Sequence, residues 1–286
     1  MSTTRQSNFG AAIRTTALLA GLTGLLVVIG ALIGGPETAL LFLVMALVMN
    51  LGIFFFSDKI ALKMSGAQPM TEEQAPKIYE MVRELTTAAK MPMPALYVIP
   101  QSQPNAFATG RSPNHSAVAV TAGITQLLSP EELRGVIAHE LAHIRNRDTL
   151  TQAVAASIGG AITYLGYMLL WFGGDDESPL GLIGALALVL LAPIAATIIQ
   201  LAISRQREYS ADATGAQISG NPESLASALL RLEEGAKANP MQVNQATEAL
   251  YIVKPFSGGG MAKLFSTHPP IEERVRRLRQ MRPSLG

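Results

Sequence analysis

The stretch Ser129-Pro130-Glu131-Glu132-Leu133-Arg134-Gly135-Val136-Ile137-Ala138-His139-Glu140-Leu141-Ala142-His143-Ile144 decides how this chain is read. It opens on a capping box, Ser129 with Glu132 three residues on, and places Pro130 at the first helical position. Leu133, Val136, Ile137, Leu141 and Ile144 then recur at helical spacing. His139 and His143, four residues apart, share one face of that helix, where one metal ion can bridge them. Glu140 is rotated about 100° from His139. Its carboxylate falls beside such an ion, where it can take a proton from water that the ion has acidified.

Two histidines leave a metal site incomplete. A later glutamate would complete a His₂Glu set, which leaves a fourth position open. The candidate lies in Arg207-Glu208-Tyr209-Ser210-Ala211-Asp212. Asp212 follows Glu208 by four residues on the same helical face and suits an acceptor for the outer N–H of a ligand histidine. The alternative for Asp212 is a carboxylate on a helix surface. The chain has only 4 histidines, which makes chance pairing in this motif less plausible than in a His-rich chain.

The surrounding chain is unusually apolar. Of 286 residues 49% are hydrophobic and 15% charged, and the mean hydropathy is +0.28. A net charge of +1, with no basic patch interleaved with aromatics, gives no support for nucleic-acid binding. The absence of cysteine excludes disulfides and thiolate metal sites.

Four apolar spans are predicted, at about 16–35, 39–56, 150–172 and 180–203. The first two read as an uncleaved hairpin rather than a signal peptide. The third is rich in glycine and alanine, and its small residues at four-residue spacing would let helices approach closely in lipid. Arg5, Arg14, Lys59, Lys63, Arg145, Arg147, Arg205 and Arg207 flank the spans on one side, whereas the short connections near 36–37 and 173–179 carry no lysine or arginine. The expectation is a multi-pass protein with both termini and residues 58–148 and 204–286 in the cytoplasm. Hairpins at 1–57 and 149–203 would alternate with two parts of one protease domain, 58–148 and 204–286.

In the soluble parts, a helix is expected from Thr71 to about Ala89, with Pro76 inside its first turns. Leu96–Ile99 and Ser116–Thr121 read as strands, with a turn near Pro104–Gly110 leading into another. Ala117, Val118 and Ala119 belong to a short strand of small residues. As an edge strand it would bind an extended peptide by strand addition; as an internal strand it would not. A helix capped by Asn221 is expected to stop near Gly235. Gly258-Gly259-Gly260 lacks the ending of a phosphate loop. The stretch 271–281 reads as a basic helix whose Arg274, Arg276, Arg277 and Arg279 form a solvated face or touch anionic lipid.

With His139-Glu140-Leu141-Ala142-His143, Arg207-Glu208 to Ala211-Asp212, Ser266-Thr267-His268-Pro269-Pro270 and four apolar spans, the chain resembles the HtpX family. These are bacterial heat-shock-linked membrane zinc metalloproteases related to the prenyl-protein (CAAX) metalloproteases. The resemblance covers nearly the whole chain, including Asn105-Ala106-Phe107-Ala108. It implies an α-helical protein of the bacterial inner membrane, with a zincin-like cytoplasmic protease domain that is mainly α with a small β-sheet. It also implies one zinc ion held by His139, His143 and Glu208, with Glu140 as the base. The substrates implied are unfolded or damaged membrane proteins. By the same resemblance Asn105 would hold the substrate backbone; otherwise it is an Asx-turn residue. His268 either donates to the oxyanion or packs before Pro269-Pro270. Two other classes compete. A metal transporter or sensor would need ionisable groups within the spans, which contain almost none. A non-catalytic scaffold would have no use for Glu140.

Overall fold

The computed structural model describes residues 2–152, 154, 205–238 and 269–281. The second apolar hairpin, beyond its first turn, and His268 lie outside the described residues. So do the acidic loop 175–177 and the glycine run 258–260.

The chain starts with helix α1, Ser2–Met64, broken at Gly34 and Gly35. Gly35 has φ 72°, and Pro36 follows as the first residue that can restart a helix. The two arms fold back on each other. Leu22 and Leu26 pack against Ala46 and Ile53, and Asn50 Nδ2 donates to Leu19 O at 3.2 Å and Thr23 Oγ1 at 2.8 Å. The turn between the two arms is at Gly34-Gly35. Among the described residues one helix, Gly34–Met64, is long and apolar enough to cross a membrane, with hydropathy 2.6 and 11% of its most apolar window buried. Leu40, Leu41, Val44, Leu47, Val48 and Leu51 face outward along it. An apolar stripe of this extent requires an apolar surrounding.

Strand β1, Gln68–Pro69, precedes helix α2, Pro76–Ala89. The expected start at Thr71 is wrong by one turn. Proline has no N–H and crowds the preceding turn, so Pro76 opens the helix instead of sitting inside it. Thr71–Gln74 form a separate turn closed by Gln74 N to Thr71 O. Strands β2, Ala95–Ile99, β3, Ala106–Ser112, and β4, His115–Thr121, complete a mixed sheet in the order β1-β2-β4-β3. β4 runs parallel to β2 and antiparallel to β3.

The strand alternation explains why this sheet is made of small residues. Ala106, Ala108, Val118 and Val120 point into the main core, against the helices. Phe107, Ala117 and Ala119 point the other way, onto Ala61 and Leu62 at the end of α1. Period-two side chains thus bury both faces, one in the protease core and one on the apolar hairpin.

A short helix α3, Ala122–Leu127, leads into α4, Pro130–Asn146, which carries the His139 motif. The capping box is present: Ser129 Oγ accepts from Glu132 N and Glu132 Oε2 accepts from Ser129 N. α4 is buried along most of its length by the sheet and by helices α5, Arg205–Ser219, and α6, Pro222–Ala238. α6 is capped by Asn221 as expected, but it runs past Gly235. The glycine there meets Leu127, so its role is close packing, not termination. Helix α7, Ile271–Gln280, closes the core with Val275 and Leu278.

α4 does not continue into the third apolar span. Arg147 adopts the left-handed conformation (φ 59°, ψ 30°) and caps the helix, and a new helical segment begins at Asp148. Thr149 Oγ1 then donates to Gly110 O of β3 at 2.8 Å, and Thr151 Oγ1 lies 3.0 Å from Thr15 Oγ1 of α1.

Glu132 also bonds Ser227 of α6 and pairs with Arg231. Burial pushes its pKa up, but these hydrogen bonds, those at Ser129 and the Arg231 charge outweigh that and hold it below the usual carboxylate value. Ser129→Ala is expected to cost about 1 kcal/mol in stability of the detergent-solubilised protein. A carboxyl whose pKa is depressed by folding stabilises above its ordinary pKa and stops doing so as pH falls. The destabilisation from Glu132→Gln, read in thermal melts, should therefore shrink from neutrality toward about pH 4.

Candidate metal centre

α4 presents His139 and His143 one turn apart, and α5 brings Glu208 against them. The two Nε2 atoms are 3.1 Å apart. Glu208 Oε2 lies 3.7 Å from His139 Nε2 and its Oε1 lies 3.5 Å from His143 Nε2. The donor atoms of the three residues all fall within 4.8 Å of one another, and all three residues are buried. The helices can meet this closely because of Gly215. A Cβ there would come within 2.8 Å of His139 Cα. Glu208, Asp212 and Gly215 share the face of α5 that lies on α4.

Each histidine has its own carboxylate on the outer side. Asp212 Oδ1 lies 3.0 Å from His139 Nδ1, and Asp148 Oδ2 lies 3.3 Å from His143 Nδ1. Among the described residues His139 Nδ1 lies beside Asp212 without hydrogen-bond geometry, but protons on the two outer nitrogens would leave both Nε2 lone pairs facing each other and Glu208. Three acceptors at such separations repel unless a cation or protons lie among them.

The charge balance points the same way. Glu140, Glu208, Asp212 and Asp148 are buried together with Arg207 and Arg274. Four carboxylates against two guanidiniums leave two negative charges, which a divalent cation would neutralise. Without one, the surplus draws protons. Burial works against a charged His143, but Asp148, Glu208 and Glu140 raise its pKa to about 9. Burial likewise raises the pKa of Glu140, against the opposing effect of the two histidines. Nitrogen and oxygen donors of this type fit zinc.

Glu140 also reaches the sheet. Its Oε2 accepts from Ala108 N of β3 at 2.8 Å. β3 is, with β1, one of the two end strands of the sheet among the described residues. β4 instead lies between β2 and β3, with its ladders taken on both sides and Ala117, Val118 and Ala119 buried. The expectation of β4 as an edge for peptide addition therefore fails, because an internal strand has no backbone groups to offer. Asn105 is buried just before β3, where its backbone N–H donates to Thr121 Oγ1 at 2.8 Å. His115 sits exposed at the β3–β4 turn, away from the donors.

The reading of Arg274 as part of a solvated or lipid-facing surface also fails. Its side chain is 0% exposed. Nε donates to Asp212 Oδ2 at 2.8 Å and Nη2 to Asp212 Oδ1 at 2.7 Å. Burial alone would raise the Asp212 pKa, but Arg274, with His139, holds it at about 2. Arg274, Asp148 and Arg207, the last read from sequence only as a basic flank, are the site residues not anticipated from sequence. A signal existed for Arg274: it shares the apolar face of Ile271, Val275 and Leu278, while Arg276, Arg277 and Arg279 fall outside it. For Asp148, nothing short of the turn at Arg147 foretold its return to His143.

Asp148→Asn is expected to weaken zinc binding about 10–100-fold, measured by competition with a chromogenic chelator. Gly215→Ala should force α5 off α4, costing about 1–3 kcal/mol by overpacking and lowering zinc affinity in the same assay. Unchanged affinity in a folded Gly215→Ala protein would refute the close approach as the determinant of Glu208 placement.

The model of peptidase family M48 matches residues 72–282. A protease HtpX homolog of Syntrophobacter fumaroxidans is 53% identical over 281 residues, covering 95% of this chain and 100% of the relative. One from Pelotomaculum thermopropionicum is 54% identical, covering 92% and 96%, and one from Burkholderia thailandensis 50% identical, covering 94% and 96%. The crystal structure of S. mikatae Ste24p shares the fold with a TM-score of 0.51 at 18% identity, over 96% of this chain and 66% of that one. The matched region contains both donor helices, the Glu140 strand contact and α7: this chain belongs to peptidase family M48, among the HtpX metalloproteases.

Proposed function

We propose that this membrane metalloprotease is a zinc endopeptidase that cuts unfolded or damaged membrane proteins at the cytoplasmic face. The observation that carries the reading is the arrangement of His139, His143 and Glu208 around one point, with Glu140 beside them and bonded to the end strand of the sheet. His139, His143 and Glu208 would hold one zinc ion per chain. When bound, zinc supplies Lewis acidity, which acidifies a water and polarises the scissile carbonyl. Glu140 takes the proton of the attacking water and passes it to the leaving amine. Burial, by raising its proton affinity, suits it to both transfers. The Ala108 amide fixes the direction in which its carboxylate points. Asp212 and Asp148 keep the two imidazoles in the tautomer that presents Nε2.

A substrate in extended form would lie along β3. That strand ends the sheet, adjoins Glu140 and packs its other face on the apolar hairpin. A chain segment emerging from the bilayer would therefore reach Glu140 along the strand nearest α1. The basic flanks support the cytoplasmic orientation: Lys59 and Lys63 end α1 where the protease domain begins. The plan of two hairpins, 1–57 and 149–203, alternating with domain parts 58–148 and 204–286 follows from the same flanks. Glu140 also separates this reading from a metal carrier, for which His139, His143 and Glu208 would suffice.

The test is cleavage of an unfolded soluble protein and of a destabilised membrane protein by the detergent-purified enzyme loaded with zinc. Glu140→Gln should retain zinc and lose at least about 10²-fold in rate on both substrates. Chelation should abolish cleavage, and added zinc should restore it. A zinc-bound wild type that cuts neither substrate, or a Glu140→Gln protein as active as wild type, would refute the proposal.

A further inference from the structure

Arg274 stands 66 residues after Glu208 in sequence, on a different helix, yet its guanidinium lies along one side of the donor cluster. Nε and Nη2 grip both oxygens of Asp212. Nη2 is also 3.4 Å from His139 Nε2. Among the described residues Nη1 makes no hydrogen bond, and it lies 3.7 Å from Glu208 Oε2. The other Glu208 oxygen, Oε1, lies 3.5 Å from His143 Nε2. One planar cation therefore spans two carboxylates that stand four residues apart on α5.

We propose that Arg274 is the positioning residue of the metal centre. It holds Asp212 and Glu208 as a unit, so that Asp212 faces His139 Nδ1 while Glu208 faces both Nε2 atoms. The inference rests on His139, His143 and Glu208 being the metal ligands. Asp212 and Glu208 would otherwise repel each other on one helical face, next to Glu140 and Asp148, with no water to screen them. Arginine suits the task for a geometric reason. Its flat fork bonds one carboxylate with two parallel N–H groups and still directs a third nitrogen at another. A lysine ammonium is a point charge and cannot do both. The consequence is that α7, near the end of the chain, completes a site whose ligands all lie on α4 and α5.

The experiment uses the detergent-purified full-length protein. Zinc affinity is measured by chelator competition and ligand geometry by the visible spectrum of the cobalt-substituted form. Thermal melting of the metal-free protein controls for folding. Arg274→Lys keeps the buried charge. It should melt near wild type, bind zinc about 10–100-fold more weakly, and show an altered cobalt spectrum. Removing the cation outright leaves Asp212 unpaired and endangers folding, so a second comparison is made in the neutral Asp212→Asn background. There Arg274→Gln should add a further loss of at least about tenfold beyond that of Asp212→Asn alone. Arg277→Gln, on the exposed face of α7 beside Glu273 and Tyr209, should leave zinc affinity and spectrum unchanged. Wild-type affinity and spectrum in Arg274→Lys, or no added loss in the double variant, would overturn the role of Arg274 while leaving the ligand assignment intact. A wild type that takes up no zinc would overturn that assignment and this inference together.

Discussion

Burying four carboxylates, two histidines and two guanidiniums in one place is the constraint on which the rest of the structure depends. Each charge taken out of water costs several kcal/mol unless a partner of opposite sign meets it in good geometry. The partners come from separate parts of the chain: α4 gives His139, Glu140 and His143, α5 gives Glu208 and Asp212, α7 gives Arg274, and the turn after α4 gives Asp148. None of these helices could shift alone without leaving a charge unpaired. The charge state of Glu140 and the packing of the domain are thus governed by one electrostatic balance, which a divalent ion would complete.

Close packing makes that balance geometrically possible. Gly215 removes the side chain that would separate α5 from His139. The sheet contributes through its alternation: Ala108 and Val118 support α4, while Phe107 and Ala119 rest on the end of the apolar hairpin. The same β3 backbone bonds Glu140 on one side and receives Thr149 on Gly110 O. Glu140, the end strand and the chain leading toward the third apolar span are therefore connected within a few residues. Glu140 and the backbone edge of β3 thus sit beside the apolar hairpin.

The break at Arg147 has a related consequence. A single continuous helix would carry His143 directly into the apolar span. The left-handed turn instead returns Asp148 to the histidine that ends the preceding helix. Asp148 thereby links His143 of α4 to Arg207 of α5, 3.9 Å away. Three neighbouring side chains, Asp148, Thr149 and Thr151, then attach to α4, β3 and α1 in turn.

The sequence by itself determined the elements whose causes are local. The capping box at Ser129, the four-residue step from His139 to His143, the Asn221 cap and the strands at 96–99 and 116–121 all follow from neighbours in the chain. Two local features act differently in context: Pro76 opens its helix, and Gly235 is tolerated within one by packing. The partnership of Asp212 with His139 was legible because periodicity puts it on the same face as Glu208. Only the tertiary structure decided that β4 is internal and β3 ends the sheet, because strand order depends on pairings that no segment encodes alone. It also decided that Arg274 is buried against His139, Glu208 and Asp212 while Arg276, Arg277 and Arg279 are exposed. The apolar stripe of α7 marked the position, but a buried arginine makes sense only once carboxylates from another helix are known to surround it.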